Sequence, residues 1–261
     1  MTMPNQKHSS RQLQYLEAMG INLWVSRDFQ ETDIVADVIE SKIDIEPELL
    51  LEEPESSVDL PQIMTEQSTD QPKNTLDQLR QEVSVCQKCQ LHSERTQTVF
   101  GVGNSQSNIL FIGEAPGHDE DKQGEPFVGR AGQLLNSMLF AIGLRREQIF
   151  IANILKCRPP NNRNPLVGEI EQCIPYLKQQ IELVNPKVIV VVGRVAAHAL
   201  LNTELPMAKL RGQQHYLPET QLPIIVTYHP AYLLRSPLAK QKSWEDLLML
   251  YELDKNLFQS K

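Results

Sequence analysis

The feature that most constrains this chain is a long polar loop that separates an apolar run from a helix-like stretch. The apolar run covers residues 109–112, the loop residues 113–132 and the helix-like stretch residues 133–139. Ligand sites of open parallel sheets lie at the carboxyl ends of strands, beside helix amino termini. The loop carries several carboxylates and glycines, a histidine and a phenylalanine, whereas most such connections have about two to six residues. Its length and composition therefore indicate a ligand site.

Further apolar runs alternate with helix-like stretches through the rest of the chain. Strands are predicted at residues 109–112, 148–155, 187–192 and 223–228. Helices are predicted at residues 75–85, 133–139, 169–184, 193–201 and 240–256. The third strand is almost entirely β-branched, which is typical of a strand buried on both faces. This alternation predicts the α/β class, with a central four-stranded parallel sheet in a three-layer α/β/α arrangement.

Charge divides the chain into three parts. Residues 1–27 contain a short helix candidate at residues 11–19, and residues 74–261 have a globular pattern. Between them, residues 28–73 read as an acidic disordered linker. Fourteen acidic residues and one lysine give residues 28–70 a charge of −13, whereas residues 71–261 carry +3. The overall charge of −8 therefore does not argue against a nucleic-acid partner for the globular part.

The amino-terminal helix candidate is too short to be stable alone in water. Its apolar residues, together with those of residues 21–24, are expected to bury against the globular part or against a partner. Residues 15–24 resemble the amino-terminal peptide of the clamp-loader subunit psi, which contacts a partner protein. A replication or repair protein is therefore one expected partner, and a simple tail helix is the alternative.

Neither a membrane span nor a signal peptide is recognisable in the sequence. No apolar run approaches the roughly twenty residues of a spanning helix, and the first residues lack the apolar core of a signal peptide. We therefore expect a cytoplasmic protein, and nothing in the sequence suggests more than a monomer. In a reducing compartment the four cysteines are expected to be metal ligands or buried thiols rather than disulfides.

Three strand ends present polar groups at the same edge of the predicted sheet. The loop that contains Phe127 follows the first strand, Asn153 lies at the second and His229 follows the fourth. Phe127 can stack on a ring, and Asn153 can offer a donor and an acceptor to an amide-like edge. His229 can donate to an oxygen that gains negative charge. This set suits a small planar ligand such as a pyrimidine, and uracil in particular.

The four cysteines form a close pair and two separate positions. Cys86 and Cys89 have the spacing Cys-x2-Cys, and Cys157 and Cys173 have the spacing Cys-x15-Cys. Four thiolates satisfy either zinc or a [4Fe-4S] cluster. The spacing alone does not choose between these two, and unliganded buried thiols are the third alternative.

Several longer motifs resemble those of one enzyme family. They are Gly-Glu-Ala-Pro-Gly at residues 113–117 with Glu120, Pro-Phe-Val-Gly-Arg-Ala-Gly at residues 126–132, Asn153 before Lys-Cys-Arg-Pro-Pro at residues 156–160, and His-Pro-Ala-Tyr-Leu-Leu-Arg at residues 229–235. Residues 75–255 resemble the family 4 uracil-DNA glycosylases, the iron–sulfur type. The resemblance implies a structural [4Fe-4S] cluster held by Cys86, Cys89, Cys157 and Cys173.

The resemblance also implies an activity and a role for each motif residue. A flipped uracil would stack on Phe127, be read by Asn153 and receive backbone contacts from Gly113 and Glu114. His229 would stabilise charge on the uracil O2 as the glycosidic bond breaks, which leaves an abasic site. Leu233 or Leu234 would fill the space that the base leaves. None of these pocket and wedge positions is a lysine that could act as an amine nucleophile, so no strand-cleaving step is expected.

The motifs do not identify the residue that orients the attacking water. Glu120 could orient that water or occupy the space beside C5 and reject the thymine methyl group. Asp119 and Asp121 are expected to be solvated loop charges. Four arginines are candidates for phosphate contacts, and each is equally explained as a surface charge: Arg130, Arg158, Arg163 and Arg235.

A close relative of this family becomes covalently trapped through a loop histidine, but the loop at residues 158–165 contains none. Turnover is therefore expected.

Two rival functions are compatible with the same motifs. The first rival is a DNA-binding or polymerase-associated protein that has lost turnover, and the intact Phe127, Asn153 and His229 argue against it. The second is a zinc-bound regulatory module, which would be colourless.

Overall fold

The computed structural model describes residues 75–218 and 220–253. The predictions for residues 1–27 and 28–73 lie outside the described residues, as do the last three residues of the predicted carboxyl-terminal helix. The described helices are α1 (Leu76–Ser84), α2 (His118–Gln123), α3 (Arg130–Ala141), α4 (Val167–Val184), α5 (Arg194–Leu201), α6 (Met207–Leu210), α7 (Pro230–Arg235) and α8 (Lys240–Leu253). The described strands are β1 (Val102–Gly103), β2 (Ile109–Gly113), β3 (Phe150–Asn153), β4 (Val188–Val192), β5 (Gln214–Tyr216) and β6 (Pro223–Thr227).

Helix α1 begins at a capping box. The Thr75 hydroxyl accepts a hydrogen bond from the Gln78 N–H at 3.2 Å, and the Gln78 side chain accepts one from the Thr75 N–H at 2.8 Å. This exchange satisfies backbone donors that the first turn of a helix leaves free. Leu79 and Val83 are one turn apart and both are buried. The helix predicted at residues 75–85 is therefore confirmed, and its last turn leads to the first cysteine pair.

The sheet has six strands in the order β1-β3-β2-β4-β6-β5. The four central strands run parallel, as predicted. The two edge strands are antiparallel to their neighbours and were not predicted. They contain only two and three residues, which is too short to show an alternating apolar pattern. The central four-stranded parallel sheet is therefore confirmed, and the complete sheet is wider by one strand on each side.

Helices cover both faces of the sheet. On one face, Leu110, Ile112 and Val191 belong to a cluster that includes residues of α1, α4 and α5. On the other face, Phe111 and Val190 pack with residues of α3 and α8. All five residues of β4 are buried, and complete burial of one such side chain contributes about 1.5–3 kcal/mol. The three-layer α/β/α architecture is therefore confirmed.

The chain leaves the two middle strands in opposite directions. The connection after β2 leads to α3 on one face, and the connection after β4 leads to α5 on the other. In open α/β sheets such a switch point opens a crevice beyond the carboxyl ends of the strands. The long loop after β2, the end of β3 and the residues after β6 all lie at that edge.

Candidate active site

A groove of about 710 Å³ lies at the carboxyl edge of the parallel strands. Its volume is in the range of ordinary ligand pockets. The loop after β2, the end of β3, the turn after β3 and helix α7 all contribute to it. Its lining includes Glu114, Glu120, Phe127, Asn153, His229 and Leu234. The structure therefore brings together the three strand ends that the sequence predicted to converge.

Asn153 is the last residue of β3 and pairs with Gly113 of β2 in the parallel register. Its side chain is only 2% exposed, and Oδ1 has no hydrogen-bond partner in the described part of the chain. An unpaired buried acceptor costs about 1–3 kcal/mol. A polar atom held in this way at the wall of a groove indicates that a ligand supplies the missing donor.

Phe127 provides an aromatic wall beside Asn153. Its ring lies 5.5 Å from the His229 ring, centroid to centroid, with 30° between the two planes. Its backbone adopts a φ of 55°, which is a left-handed conformation that is rare for a bulky side chain. Strain of this kind is concentrated at functional sites.

Gly113 leaves the space in which Phe127 and Asn153 meet. A Cβ at this position would lie 2.3 Å from Asn153 Oδ1 and 2.7 Å from Phe127 Cζ. Both distances are far below van der Waals contact. The carbonyls of Gly113 and Glu114 accept hydrogen bonds from the N–H groups of Ile154 and Leu155 at 2.9 and 3.1 Å. The start of the loop is thus fixed directly beneath the pocket.

His229 caps helix α7 with its side chain. Nδ1 accepts a hydrogen bond from the Ala231 N–H at 3.1 Å, so the ring proton of the neutral imidazole lies on Nε2. The pKa of His229 is lowered to about 4, chiefly by burial and then by the positive charge of Arg235, and the charge of Glu120 opposes both. At neutral pH the ring is therefore uncharged and presents one N–H donor at Nε2.

Glu120 joins two parts of the loop. Oε2 accepts from the Gly117 N–H at 3.1 Å, and Oε1 accepts from the N–H groups of Val128 and Gly129 at 3.0 and 3.2 Å. The carboxylate thus connects the start of α2 to the residues just after Phe127. It lines the groove, and most of its hydrogen-bonding capacity is used by the loop itself.

The neighbouring loop carboxylates differ from one another. Burial raises the pKa of Glu114, and the charge of Arg194 opposes this shift. Asp119 is exposed, as predicted. The prediction that Asp121 is a solvated charge is wrong: it is 3% exposed and accepts from the Thr96 N–H at 3.0 Å and the Thr96 hydroxyl at 2.7 Å. The segment before β1 supplies donors that the local sequence does not reveal.

The four candidate arginines fall into two pairs. Arg163 forms an ion pair with Glu169 at 2.5 Å, and Arg158 bonds Asn162 at 2.7 Å and His118 at 3.0 Å. Arg130 and Arg235 are exposed at the groove, and neither forms a hydrogen bond or ion pair within residues 75–218 and 220–253. The last two are therefore the arginines available to an anionic ligand.

The two wedge candidates in α7 have different environments. Leu233 is 1% exposed and packs in the core with residues of α3 and α8. Leu234 is 44% exposed and lines the groove. Only Leu234 is therefore free to contact a ligand without unfolding the helix.

The four cysteines line one small pocket away from the groove. All four are free thiols. Two buried or partly buried donors point at sulfur: Arg95 Nη1 lies 3.2 Å from Cys157 Sγ, and the Lys156 N–H lies 3.3 Å from Cys173 Sγ. Such hydrogen bonds stabilise sulfur ligands of a metal centre. Burial raises the pKa of Cys173 to about 11, so metal binding must displace its proton.

The cysteine pocket is the candidate metal centre of the described residues. Within residues 75–218 and 220–253, no three side chains of the His, Cys, Asp and Glu types are grouped so as to hold a single metal ion. The four thiols nevertheless surround one volume. Four sulfur donors therefore surround one pocket, whose lining also includes His92.

Lys156 connects the cysteine pocket to the groove. Its Nζ donates to the Asn153 carbonyl at 2.7 Å and to Gln180 Oε1 at 2.5 Å. Its backbone N–H bonds Cys173, and burial lowers its pKa to about 8. Neither this role nor that of Arg95 was predicted from the sequence. The sequence signals for Lys156 were its adjacency to Cys157 and its place in the motif at residues 156–160, whereas the Asn153 and Gln180 contacts depend on tertiary structure.

None of the described helices is long and apolar enough to cross a membrane.

The fold and the groove define a three-layer α/β/α protein with an aromatic-walled pocket at the carboxyl edge of its sheet. Residues 100–248 match the family model described as the uracil DNA glycosylase superfamily.

Three relatives extend this match over more of the chain, and all are called type-4 uracil-DNA glycosylases. The relative from Archaeoglobus fulgidus is 44% identical over 185 residues, which cover 69% of this chain and 93% of the relative. The one from Pyrobaculum aerophilum is 41% identical over 71% of this chain and 99% of its own length. The one from Thermotoga maritima is 46% identical over 59% of this chain and 80% of its own length. The chain therefore belongs to the uracil DNA glycosylase superfamily, in its type-4 branch.

Proposed function

We propose that this protein excises uracil from DNA as a monofunctional glycosylase of base excision repair. The observation that carries the proposal is the buried Asn153 Oδ1, which lacks a partner in the described part of the chain and lies beside the aromatic wall of Phe127. Uracil presents an N–H flanked by two carbonyls along one edge. The Asn153 amide matches that edge with one acceptor and one donor. The relatives of this chain from Archaeoglobus fulgidus and Pyrobaculum aerophilum are called type-4 uracil-DNA glycosylases.

The base must leave the duplex before it reaches Asn153. Flipping costs a few kcal/mol, and Leu234 is the exposed side chain that would fill the vacated stack. Arg130 and Arg235 flank the groove without other partners among the described residues, and we assign them to phosphates. Phe127 then stacks on the uracil ring, and the backbone at Gly113 and Glu114 borders the base.

Bond cleavage requires that the uracil leave as an anion. The C1′–N1 bond breaks and its electron pair passes to the uracil ring, where charge accumulates at O2. The Nε2–H of neutral His229 donates to that oxygen, because Nδ1 is already engaged by the Ala231 N–H. A neutral donor fixed in this position stabilises the developing charge without reorganisation. Water then adds to C1′, and the proton that it releases neutralises the uracil anion through solvent, which leaves an abasic sugar and free uracil.

Glu120 is our candidate for orienting that water. Three backbone N–H groups occupy its carboxylate, which has about four lone-pair positions. One position remains, which is enough to align a water molecule. The three fixed bonds would hold this acceptor still during the reaction. Among residues 75–218 and 220–253 no lysine lines the groove, which supports hydrolysis rather than a strand-cleaving step.

We further propose that Cys86, Cys89, Cys157 and Cys173 hold a [4Fe-4S] cluster. The four thiols around one pocket, with N–H donors at two of them, support this assignment. Bound there, the cluster would play a structural role and tie the end of α1 to the turn after β3 and to α4. Because the proposed substrate is cellular DNA, we expect the protein to act in the cytoplasm.

The experiment that tests the activity is release of uracil from a labelled oligonucleotide with a single dU. The wild type should release uracil from this DNA and leave the matched T oligonucleotide intact. Asn153→Ala and His229→Ala should each lower the rate at least about 100-fold, the loss typical of a single oxyanion donor. Asn108→Ala, at the opposite end of β2, and His198→Ala, on α5, serve as controls and should leave the rate unchanged. No release by wild-type protein with a full metal centre would refute the proposed activity.

A further inference from the structure

Arg146 lies outside the groove but contacts the loop that carries Phe127. It belongs to a short 3₁₀ turn, Arg146–Gln148, that precedes β3. Nη1 donates to the Phe127 carbonyl at 3.1 Å, and Nη2 donates to the Pro126 carbonyl. Within residues 75–218 and 220–253 no carboxylate lies within 4.0 Å of this guanidinium. Its partners are therefore two neutral carbonyls of one loop.

Partial burial makes this arrangement costly for a cation. Burial lowers the pKa of Arg146, and the more distant charges of Glu125, Glu147 and Glu120 oppose this shift. A partly buried guanidinium that binds carbonyls instead of a carboxylate loses hydration and gains less electrostatic stabilisation than an ion pair would provide. Arg146 donates to two carbonyls at once through the planar guanidinium. The flexible ammonium group of a lysine could not hold both carbonyls in the same fixed geometry.

The two carbonyls belong to the most constrained part of the loop. Phe127 has a φ of 55°, and its carbonyl is pressed against helix α3, because a Cβ on Gly132 would lie 1.8 Å from that oxygen. A return of φ to the ordinary negative range would rotate this carbonyl and move the ring at the same time. The ring is the one that stacks at 5.5 Å from His229.

We infer that Arg146 is a positioning residue of the base pocket, which fixes the plane of the Phe127 ring by holding the two carbonyls of residues 126 and 127. The inference rests on the proposed function, since it names the element that prepares the stacking surface for uracil. Arg146 touches no substrate, and it acts only through Phe127. Its neighbour Arg145 is exposed and provides a matched control in the same turn.

The first measurement is the single-turnover rate of uracil release by Arg146→Met and Arg145→Met. Displacement of a substrate-positioning group by about 1 Å can cost on the order of 100-fold. We expect a loss of about 10–100-fold for Arg146→Met and less than about 2-fold for Arg145→Met. Arg146→Lys retains the charge but not the fork, so its loss should be intermediate. If Arg146→Met does not fold, the single-turnover rate of Arg146→Lys tests the inference instead.

A double-mutant cycle separates positioning from a general structural role. In the Phe127→Ala background no ring remains to be positioned, so Arg146→Met should add less than about 2-fold to the loss. If Arg146 only supports the fold, the second substitution will cost as much as it does in the wild-type background. Additive effects would overturn the inference.

A second readout does not depend on activity. Fluorinated phenylalanine, introduced at all seven phenylalanine positions, gives a resonance for Phe127 that Phe127→Leu identifies. This resonance should shift in Arg146→Met and stay in place in Arg145→Met. An unchanged resonance would contradict the inference even if the enzyme is active. If the wild type releases no uracil, the proposed activity fails while the resonance still reports on ring position.

Discussion

The side-chain oxygen of Asn153 occupies space that a Cβ on Gly113 would require, 2.3 Å away. The two residues face each other across the β2–β3 register, and the Phe127 ring fills the other side of the same space. A single backbone position therefore sets how closely the aromatic wall and the amide approach each other.

Gly113→Ala should abolish most of the activity with little loss of folding. The new methyl group must displace Asn153 Oδ1 or the Phe127 ring, and a displacement of about 1 Å costs on the order of 100-fold in rate. The measurement is kcat/KM on dU DNA together with Tm. Gly168→Ala is the control, because no atom lies within 4 Å of a Cβ at that helix position. Equal rates for the two variants would contradict the assignment of the pocket.

The pH dependence of activity should reflect a histidine that is neutral at physiological pH. The pKa of folded His229 is about 4, below the ordinary value of about 6.5. The unfolded chain therefore binds this proton first as the pH falls. The His229 contribution to stability is complete above about 6.5 and is lost between about 6.5 and 4. Profiles of kcat/KM, which report pKa values of the free enzyme, should show an acid limb near pH 4, and a limb near 6.5 would contradict this picture.

Arg235→Gln should move that acid limb to higher pH. Arg235 is the charge that lowers the pKa of His229 after burial, so its removal makes the imidazole easier to protonate. Arg130→Gln is the matched control at the same groove, since its charge does not contribute to that shift. The position of the limb, and not the height of the profile, is the quantity to compare. Identical limb positions would show that Arg235 does not influence His229.

Substitution of the two adjacent leucines of α7 should have separate effects. Leu233→Ala removes a core side chain and should cost about 2–5 kcal/mol of unfolding free energy. Leu234→Ala removes an exposed side chain, so it should leave Tm nearly unchanged and slow release from duplex DNA more than from single-stranded DNA. Denaturant unfolding and paired single-strand and duplex assays measure the two effects. A duplex-specific defect in a stably folded Leu233→Ala protein would reverse the assignment.

Removal of one cysteine should disrupt the metal centre. Anaerobically purified wild type is expected to be brown and to contain iron and acid-labile sulfide, whereas Cys173→Ser should contain much less of both and unfold at a lower temperature. Arg95→Met should load normally but lose iron faster to a chelator, because Cys157 Sγ loses its donor. Colourless wild-type protein that contains zinc would exclude the cluster.

The buried carboxylate of Asp121 should contribute to stability and not to chemistry. Asp121→Ala leaves the Thr96 N–H and hydroxyl without their acceptor, which should cost about 1–3 kcal/mol. Asp119→Ala, at an exposed position two residues earlier, should change the unfolding free energy by less than about 0.5 kcal/mol. Denaturant unfolding at pH 7 measures both. A similar cost for the two substitutions would contradict the structural role of Asp121.

The central sheet and most of the pocket could be predicted because local patterns determine them. Runs such as residues 188–192 are apolar on both sides, and a strand end brings its next polar residue to the edge of the sheet. Asn153 and His229 were found in this way. The two edge strands were not predicted, because two or three residues are too few to show a periodic pattern.

The supporting contacts could not be predicted because their partners are distant in sequence. Asp121 meets Thr96 across 25 positions, and Arg146 reaches Phe127 across 19. Within α7, the adjacent leucines have equal propensity, and only the packing of α3 and α8 decides which of them is buried. Helix α2 consists of polar residues and shows no apolar periodicity, so the sequence read as loop.

The enclosure of Phe127 limits how this pocket can be changed. Its ring meets Gly113 and His229, its carbonyl meets Gly132 and Arg146, and its backbone is already strained. Substitutions that enlarge or reshape the base site one residue at a time will therefore pass through inactive forms. A redesign for another base needs simultaneous changes at several of these positions, so the route from one base specificity to another is a concerted jump and not a series of small steps.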